Sequence, residues 1–183
     1  MNIFLFAFWF FLPAGIANVV PVFASKLPIL REYCYPLDFK KQFLGKRILG
    51  DNKTIRGILS GILIGVIISI LQYNLYKSLP QVNGFIGLDY ANNNPALLGF
   101  LLSLGALAGD SIKSFFKRQM GIASGKAWFP FDQMDYILGG IILSLFFIRL
   151  PIIIYVNIFI IYFILHILIS YIGFLFHLKK TPI

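Results

Sequence analysis

Apolar residues occupy five long stretches of the chain, which polar segments separate. The stretches run from about Ile3 to Val22, Ile55 to Tyr76, Pro95 to Phe116, Met134 to Ile148 and Ile152 to Leu178. A helix rises about 1.5 Å per residue, so a stretch of roughly 20 residues crosses the hydrocarbon of a bilayer. The fourth stretch reaches only about 22 Å at the same rise, so it either draws on the preceding loop or re-enters the membrane. The pattern predicts an all-α polytopic membrane protein with about five transmembrane helices.

Composition supports this interpretation. The chain has 183 residues, of which 58% are hydrophobic and only 13% are charged, and its mean hydropathy is +0.83. A soluble domain of this length could not bury so much apolar surface. We therefore expect residues 1–183 to form a single integral membrane domain. The one cysteine, Cys34, excludes an internal disulfide.

The net charge of +9 would suggest nucleic acid as the partner of a soluble protein, but its placement indicates otherwise. Of the sixteen Lys and Arg residues, eight lie between Lys26 and Arg56, four between Lys113 and Lys126, and two at the C-terminus. Basic loops remain on the cytoplasmic side of a membrane. We expect two basic cytoplasmic loops, at 26–54 and 117–133, with the N-terminus outside the plasma membrane, a plain external connector at 77–94 and no nucleic acid partner.

Three carboxylates stand close to this basic sequence. Asp110 begins a polar stripe at the end of the third apolar stretch, and Asp132 and Asp135 lie three residues apart at the start of the fourth. Carboxylates that meet repel one another unless a cation neutralises them, and Mg²⁺ prefers such ligands. The alternative is purely structural: Asp132 would cap a helix and Asp110 would pair with Lys113. Ionisable residues inside an apolar stretch favour the functional interpretation.

Basic side chains share the helical face of Asp110. At about 100° per residue, Lys113, Ser114 and Lys117 follow it on one side, with Arg118 at the edge and Lys126 in the loop. Such cations can bind phosphates and stabilise departing pyrophosphate. They could equally be anchors at the membrane surface, an interpretation that suits Lys126 best and Lys113 least. A glycine- and lysine-containing segment at 45–57 is compatible with anion binding before a helix, or with general attraction to lipid.

The motifs together resemble the CDP-archaeol synthases, membrane relatives of the phosphatidate cytidylyltransferases. The resemblance covers almost the whole chain. It rests on Leu12-Pro13-Ala14, Ala17-Asn18, Pro21-Val22, Pro36-Leu37-Asp38-Phe39, Lys53-Thr54-Ile55-Arg56-Gly57, Gly109-Asp110, Lys113-Ser114, Lys117-Arg118, Gly121 and Phe131-Asp132-Gln133-Met134-Asp135. The chain lacks the Lys-Asp and His-Gly-Gly elements of the wider cytidylyltransferase signature, and Gln133 replaces an Arg. These departures favour the archaeol branch over the diacylglycerol branch.

The resemblance implies transfer of a cytidylyl group from CTP to a lipid phosphate of the archaetidic-acid type, digeranylgeranylglycerol phosphate, with release of pyrophosphate. It implies that Asp110, Asp132 and Asp135 hold Mg²⁺ and, with Lys113, form the catalytic set. Phosphate contacts are expected from Ser114, Lys117 and Arg118, with Lys126 assisting. Lys53, Thr54 and Arg56 are expected to close the site from the first loop, at the cytoplasmic face.

Several alternatives remain open at this stage. The nearest is a CDP-diacylglycerol synthase that uses phosphatidic acid. A CDP-alcohol phosphotransferase would require acids four residues apart, whereas Asp132 and Asp135 are three apart. A transporter of phosphorylated solutes would distribute ionisable residues across the bilayer, and a non-catalytic lipid sensor would not need the acids. The sequence shows no soluble partner, and it leaves open a homodimer, the lipid chains, the choice between CTP and dCTP and the number of metal ions.

Overall fold

The structure, a computed structural model, describes residues 2–79 and 93–176. Most of the predicted external connector, together with the basic pair Lys179 and Lys180, lies outside the described residues. The elements in chain order are α1 (Ile3–Ala24), α2 (Pro28–Arg31), β1 (Gln42–Phe43), β2 (Lys46–Arg47), α3 (Ile55–Ser78), α4 (Pro95–Gln119), α5 (Phe131–Ser144) and α6 (Ile152–Leu175). The predicted helical membrane architecture is confirmed.

Polar side chains define where three of the long helices begin. Asn2 accepts hydrogen bonds from the backbone N–H groups of Phe4 and Leu5, and Asn94 does the same at the start of α4. Thr54 Oγ1 accepts the Gly57 N–H at the start of α3. The first N–H groups of a helix have no partner inside it, so these caps fix the helix starts.

Four described helices are long and apolar enough to cross a membrane: α1, α3, α4 and α6. The predicted fourth stretch is also a helix, but it begins at Phe131 rather than Met134 and ends at Ser144 rather than Ile148. Its 14 residues span about 21 Å, which is less than the hydrocarbon thickness. The earlier start places Asp132 and Asp135 in the first two turns of α5.

Helix α1 is the centre of the bundle, since it packs against α3, α4, α5 and α6. Its residues Phe6, Phe10 and Phe11 are buried in the main hydrophobic cluster. Two tyrosines connect its neighbours: Tyr162 donates a hydrogen bond to the Phe8 carbonyl at 2.6 Å, and Tyr136 donates to the Tyr162 carbonyl at 2.8 Å. These bonds satisfy phenol groups that hydrocarbon could not solvate.

The first predicted loop is more ordered than its sequence indicates. Residues Gln42–Phe43 and Lys46–Arg47 pair as a short antiparallel hairpin. Its turn residues, Leu44 and Gly45, both have positive φ, at 51° and 75°, which matches the twist of a two-residue hairpin. This hairpin is the small departure from an all-α fold, and it brings the loop against the end of α4.

Candidate functional site

The site is built where the backbones of α4 and α5 touch. A Cβ atom added to Gly109 would lie 2.2 Å from the carbonyl oxygen of Asp135, and one added to Gly105 would lie 2.4 Å from that of Gly139. Only glycine allows backbones to approach so closely, as is common where membrane helices pack. The contact therefore places Asp110, the next residue after Gly109, beside Asp135.

The three predicted acidic residues converge on one lysine. The Lys113 Nζ lies 2.6 Å from Asp132 Oδ1, 2.9 Å from Asp135 Oδ2 and 3.2 Å from Asp110 Oδ1. The Lys113 side chain is 13% exposed, and that of Asp135 is 4% exposed. The fold thus brings together the three carboxylates that the sequence analysis grouped. The Lys113 ammonium lies at their centre, which the sequence analysis did not predict.

Two further lysines complete the charge balance. Lys53, from the loop before α3, pairs with Asp110 Oδ2. Lys117 lies 2.9 Å from Asp132 Oδ2 and 3.0 Å from its Oδ1. We call the set formed by Lys53, Asp110, Lys113, Lys117, Asp132 and Asp135 the ion cluster. It links the first loop, α4 and α5 through charge pairs in a partly buried place, where such pairs are screened less than in water.

The contacts of the structural alternative are also present. Asp132 Oδ2 accepts the Trp128 N–H at 2.6 Å, and Lys113 pairs with Asp110. These bonds orient the two carboxylates and leave room for a chemical role, because each carboxylate has two oxygens and several acceptor positions. The structural and the functional interpretations are therefore compatible here.

The loop that carries Lys53 is held together by Asp38. The buried Asp38 carboxylate receives a two-pronged contact from Arg47, at 2.9 Å and 3.2 Å, and the N–H groups of Lys40, Leu49 and Gly50. Burial alone would raise the pKa of Asp38, but these hydrogen bonds outweigh it and hold the pKa well below its usual range. Asp38 thus fixes the loop from which Lys53 reaches Asp110.

Two of the predicted first-loop residues have structural contacts. Thr54 caps α3, as described above, and it is buried. The Arg56 guanidinium donates hydrogen bonds to the carbonyls of Leu30 and Arg31, at 2.7 Å and 3.2 Å. Arg56 therefore ties the end of α2 to the start of α3, while its buried Nε finds no hydrogen-bond partner in residues 2–79 and 93–176.

The remaining predicted site residues, Arg118, Lys126 and Ser114, are exposed to different extents. Arg118 Nε is buried and makes no hydrogen bond among the described residues. The Arg118 side chain runs beside Gly50, whose added Cβ would lie 3.7 Å from its Cδ. Lys126 is exposed, whereas Ser114 is buried on α4. Arg118 is thus the cation of this group best placed to accept a new anionic partner.

A cavity of about 650 Å³ joins these residues. Every residue predicted for the site lines it except Asp135, which is buried behind the others. Its walls come from α1, the first loop, α3, α4, the loop after α4, α5 and α6. The volume is in the range of sites that hold a nucleotide-sized ligand.

Four uncharged polar residues that line the cavity from helices were not predicted as site residues from the sequence: Asn18, Gln133, His166 and Ser170. Gln133 is 1% exposed and its Oε1 has no hydrogen-bond partner among the described residues. The available signal was their isolation, because a polar side chain in an apolar stretch usually has a partner or a function.

The side chains of the ion cluster fit Mg²⁺ in their chemistry. Carboxylates are the hard oxygen ligands that this ion prefers, and the buried Asp135 Oδ2 has no donor among the described residues apart from the Lys113 ammonium. Within residues 2–79 and 93–176, no three acidic, histidine or cysteine side chains form a ready metal site. Instead the three carboxylates surround Lys113, so a metal ion would have to take the place of this ammonium.

Comparisons with known proteins point to one family. A family model described as "CarS-like: CDP-archaeol synthase" matches residues 1–183. A CDP-archaeol synthase of Pyrococcus horikoshii is 39% identical over 142 residues, covering 77% of this chain and 74% of the relative. One from Pyrobaculum aerophilum is 29% identical over 183 residues, covering 100% of this chain and 98% of the relative.

A solved structure has the same fold. It is described as an intramembrane enzyme for archaeal membrane lipids biosynthesis, and it is 31% identical to this chain. The match covers 90% of this chain and 92% of the other, with a TM-score of 0.72. The similarity therefore extends over nearly the whole bundle.

Proposed function

The chain belongs to the CDP-archaeol synthase family, and from this premise we propose that it transfers the cytidylyl group of CTP to archaetidic acid, digeranylgeranylglycerol phosphate. The products are a CDP-archaeol-type lipid and pyrophosphate. The observation that carries the proposal is the meeting of Asp110 and Asp132 with several cations in one cavity at the end of an apolar helix bundle. Carboxylates can bind a divalent cation, and Lys and Arg side chains can bind phosphates, so the cavity suits a reaction between two phosphate groups that a divalent cation assists.

The reaction exchanges one phosphorus–oxygen bond for another. An oxygen of the lipid phosphate attacks the α-phosphorus of CTP. The bond from that phosphorus to the oxygen that bridges the α- and β-phosphates breaks, and pyrophosphate leaves. The lipid phosphate is already an anion near neutral pH, so the attack requires no general base. What the protein must supply is alignment and neutralisation of charge.

Asp110, Asp132 and Asp135 are the residues that would hold Mg²⁺. When bound, the ion would neutralise phosphate charge and polarise the phosphorus–oxygen bonds. The three carboxylates come from two helices whose backbones touch at Gly109, so the helix packing fixes the places from which they would bind the ion. Preorganised charge of this kind lowers the barrier because nothing has to rearrange during the reaction.

The cations around the cavity would bind the phosphates. Arg118 suits the triphosphate of CTP, with Ser114 contributing a hydroxyl from the same helix. Lys117 would contribute once its partner Asp132 is otherwise neutralised. Lys53 and Lys113 would contribute once their carboxylate partners are otherwise neutralised. Lys126 would act at the exposed rim.

Thr54 and Arg56 would act mainly by position. Thr54 starts α3 immediately after Lys53, and Arg56 holds α2 against it. Both side chains face the cavity. Their contribution is therefore to keep the first loop closed over the substrate.

We place the active site at the cytoplasmic face of the membrane. Asp110 lies nine residues before the end of α4 at Gln119, or about 13 Å along the helix. A lipid phosphate at the bilayer surface can reach such a depth while its chains stay between the helices. A transport path would need polar groups through the whole bilayer, and the charged residues of α4 and α5 collect at one end instead.

A substrate comparison tests the proposal. Purified full-length protein in detergent, with Mg²⁺ and labelled CTP, is offered digeranylgeranylglycerol phosphate or phosphatidic acid. We expect a CDP-lipid from the ether lipid and little from phosphatidic acid. Product from phosphatidic acid alone would move the protein to the diacylglycerol branch, and no product from either lipid in folded protein would refute cytidylyl transfer.

A further inference from the structure

The ion cluster is balanced without any substrate. Its three carboxylates, Asp110, Asp132 and Asp135, are matched by the three ammonium groups of Lys53, Lys113 and Lys117. Lys113 contacts all three carboxylates, whereas Lys53 and Lys117 each contact one. In this state the lysines are occupied by acids and are not available to phosphates.

Lys113 lies where three carboxylates converge, a place that suits a divalent cation as well as an ammonium. Of its three contacts, the one with Asp132 Oδ1 is the shortest, at 2.6 Å, and those with Asp135 Oδ2 and Asp110 Oδ1 are longer, at 2.9 Å and 3.2 Å. Apart from Lys113, no hydrogen-bond donor among the described residues reaches Asp135 Oδ2. An ammonium donates along fixed N–H directions, whereas a metal ion attracts equally on all sides.

We infer that Lys113 is an internal counter-ion that occupies the metal position when substrate is absent, and that a divalent cation displaces it. This inference rests on the metal site of the proposed function. The displaced Lys113 side chain can turn into the cavity that it lines, where the triphosphate would lie. One lysine thus neutralises the acids before binding and the phosphates after it.

A lysine suits this exchange better than an arginine. Its ammonium is a compact charge on a flexible chain, whereas a guanidinium would lock two carboxylate oxygens in a planar fork. A divalent cation at the same place would replace the three charge contacts of Lys113 with contacts to a charge of +2, which compensates for the release of the ammonium. Metal and nucleotide binding are coupled as a result.

Metal binding without nucleotide or lipid tests the exchange. Electron paramagnetic resonance measures bound Mn²⁺ as the loss of the signal of free Mn²⁺. The proteins compared are wild type, Lys113→Met and Lys126→Met. We expect Lys113→Met to bind Mn²⁺ at least about tenfold more tightly than wild type, because the competing charge is gone. Lys126→Met removes the same charge from the exposed rim of the cavity, so its change should be under about threefold. Equal effects of the two changes, or no gain for Lys113→Met, would overturn the inference.

A second variant guards against misfolding. Lys113→Gln keeps N–H donors for Asp132 but removes the charge. In EDTA, we expect both Lys113 variants to unfold at a lower temperature than wild type. Addition of Mn²⁺ should then raise the unfolding midpoint of each variant by more than it raises that of wild type. A recovery no larger than that of wild type would contradict the exchange. Neither readout involves CTP or lipid, so the outcome is independent of whether the transfer assay succeeds.

Discussion

Two parts of this molecule bury aspartates among cations, and they do so in different ways. In the first loop, Asp38 is held by the planar fork of Arg47 and by three backbone N–H groups. In the ion cluster, the acids are held mainly by the flexible ammonium groups of lysines. Backbone donors and a guanidinium cannot leave without unfolding the loop, whereas an ammonium can exchange partners. The difference separates a structural carboxylate from one that can change its ligand.

The largest expected effect comes from Asp132→Asn in the ion cluster. Asparagine keeps an acceptor for the Trp128 N–H, so the fold should survive, but the charge needed for a metal ion and for balance with Lys113 and Lys117 is lost. We expect cytidylyl transfer to fall by at least about 100-fold, measured by CDP-lipid formation. Glu32→Gln, an exposed acid away from the cavity, is the control and should remain within about twofold of wild type. Retained activity in Asp132→Asn would remove Asp132 from the catalytic set.

The sequence revealed the helices and the acidic and basic groups of the ion cluster. Helical periodicity shows which residues share a face, so Asp110 and Lys113 could be grouped by their spacing alone. Periodicity does not show which faces meet. The contact of Gly109 with the Asp135 backbone, which decides where the acids converge, depends on the packing of two helices that no local pattern specifies.

The role of Asp38 was equally hidden. Its ring of N–H donors requires positive φ at Phe39 and Lys40, 47° and 63°, and these residue types do not signal such a conformation. Only the resemblance drew attention to the segment around Asp38. The sequence anticipated the pair of Lys113 with Asp110, but not the contacts of Lys113 with Asp132 and Asp135, because these depend on how α4 and α5 meet.

An intermediate effect is expected for Asp38→Asn in the first loop. Asparagine replaces one carboxylate oxygen of the buried Asp38 by an NH2 group, which cannot accept the N–H groups of Leu49 and Gly50, and the lost hydrogen bonds cost about 3 kcal/mol of local stability. Lys53 would then be poorly positioned, so kcat/KM for CTP should fall by about tenfold, and limited proteolysis should cut the loop faster. Asp51→Asn is the matched control, because the Asp51 side chain is 74% exposed and pairs with the same arginine. If the two variants are cut at the same rate, Asp38 does not hold the loop.

A smaller effect should follow Arg47→Lys. Lysine keeps the charge near Asp38 but loses the two-pronged contact and the 2.8 Å bond to Asp51. We expect a small loss of loop stability, seen as a rise of about threefold or less in the proteolysis rate. A loss as large as that of Asp38→Asn would mean that the Arg47 geometry, rather than the backbone donors, holds the carboxylate.

The smallest effect concerns the pH dependence of the loop. The folded pKa of Asp38 is lowered from an ordinary value of 3.8, so its stabilising contribution is complete above that value. As the pH falls below 3.8, towards the lower folded pKa, the unfolded state binds a proton first and the contribution is progressively lost. Loop proteolysis by an acid-tolerant protease should therefore be flat at neutral and mildly acidic pH and rise only in this acidic range. Asp38→Asn has no such carboxyl group, so the acid-dependent rise should be reduced in that variant; an undiminished rise would assign the effect to other acids.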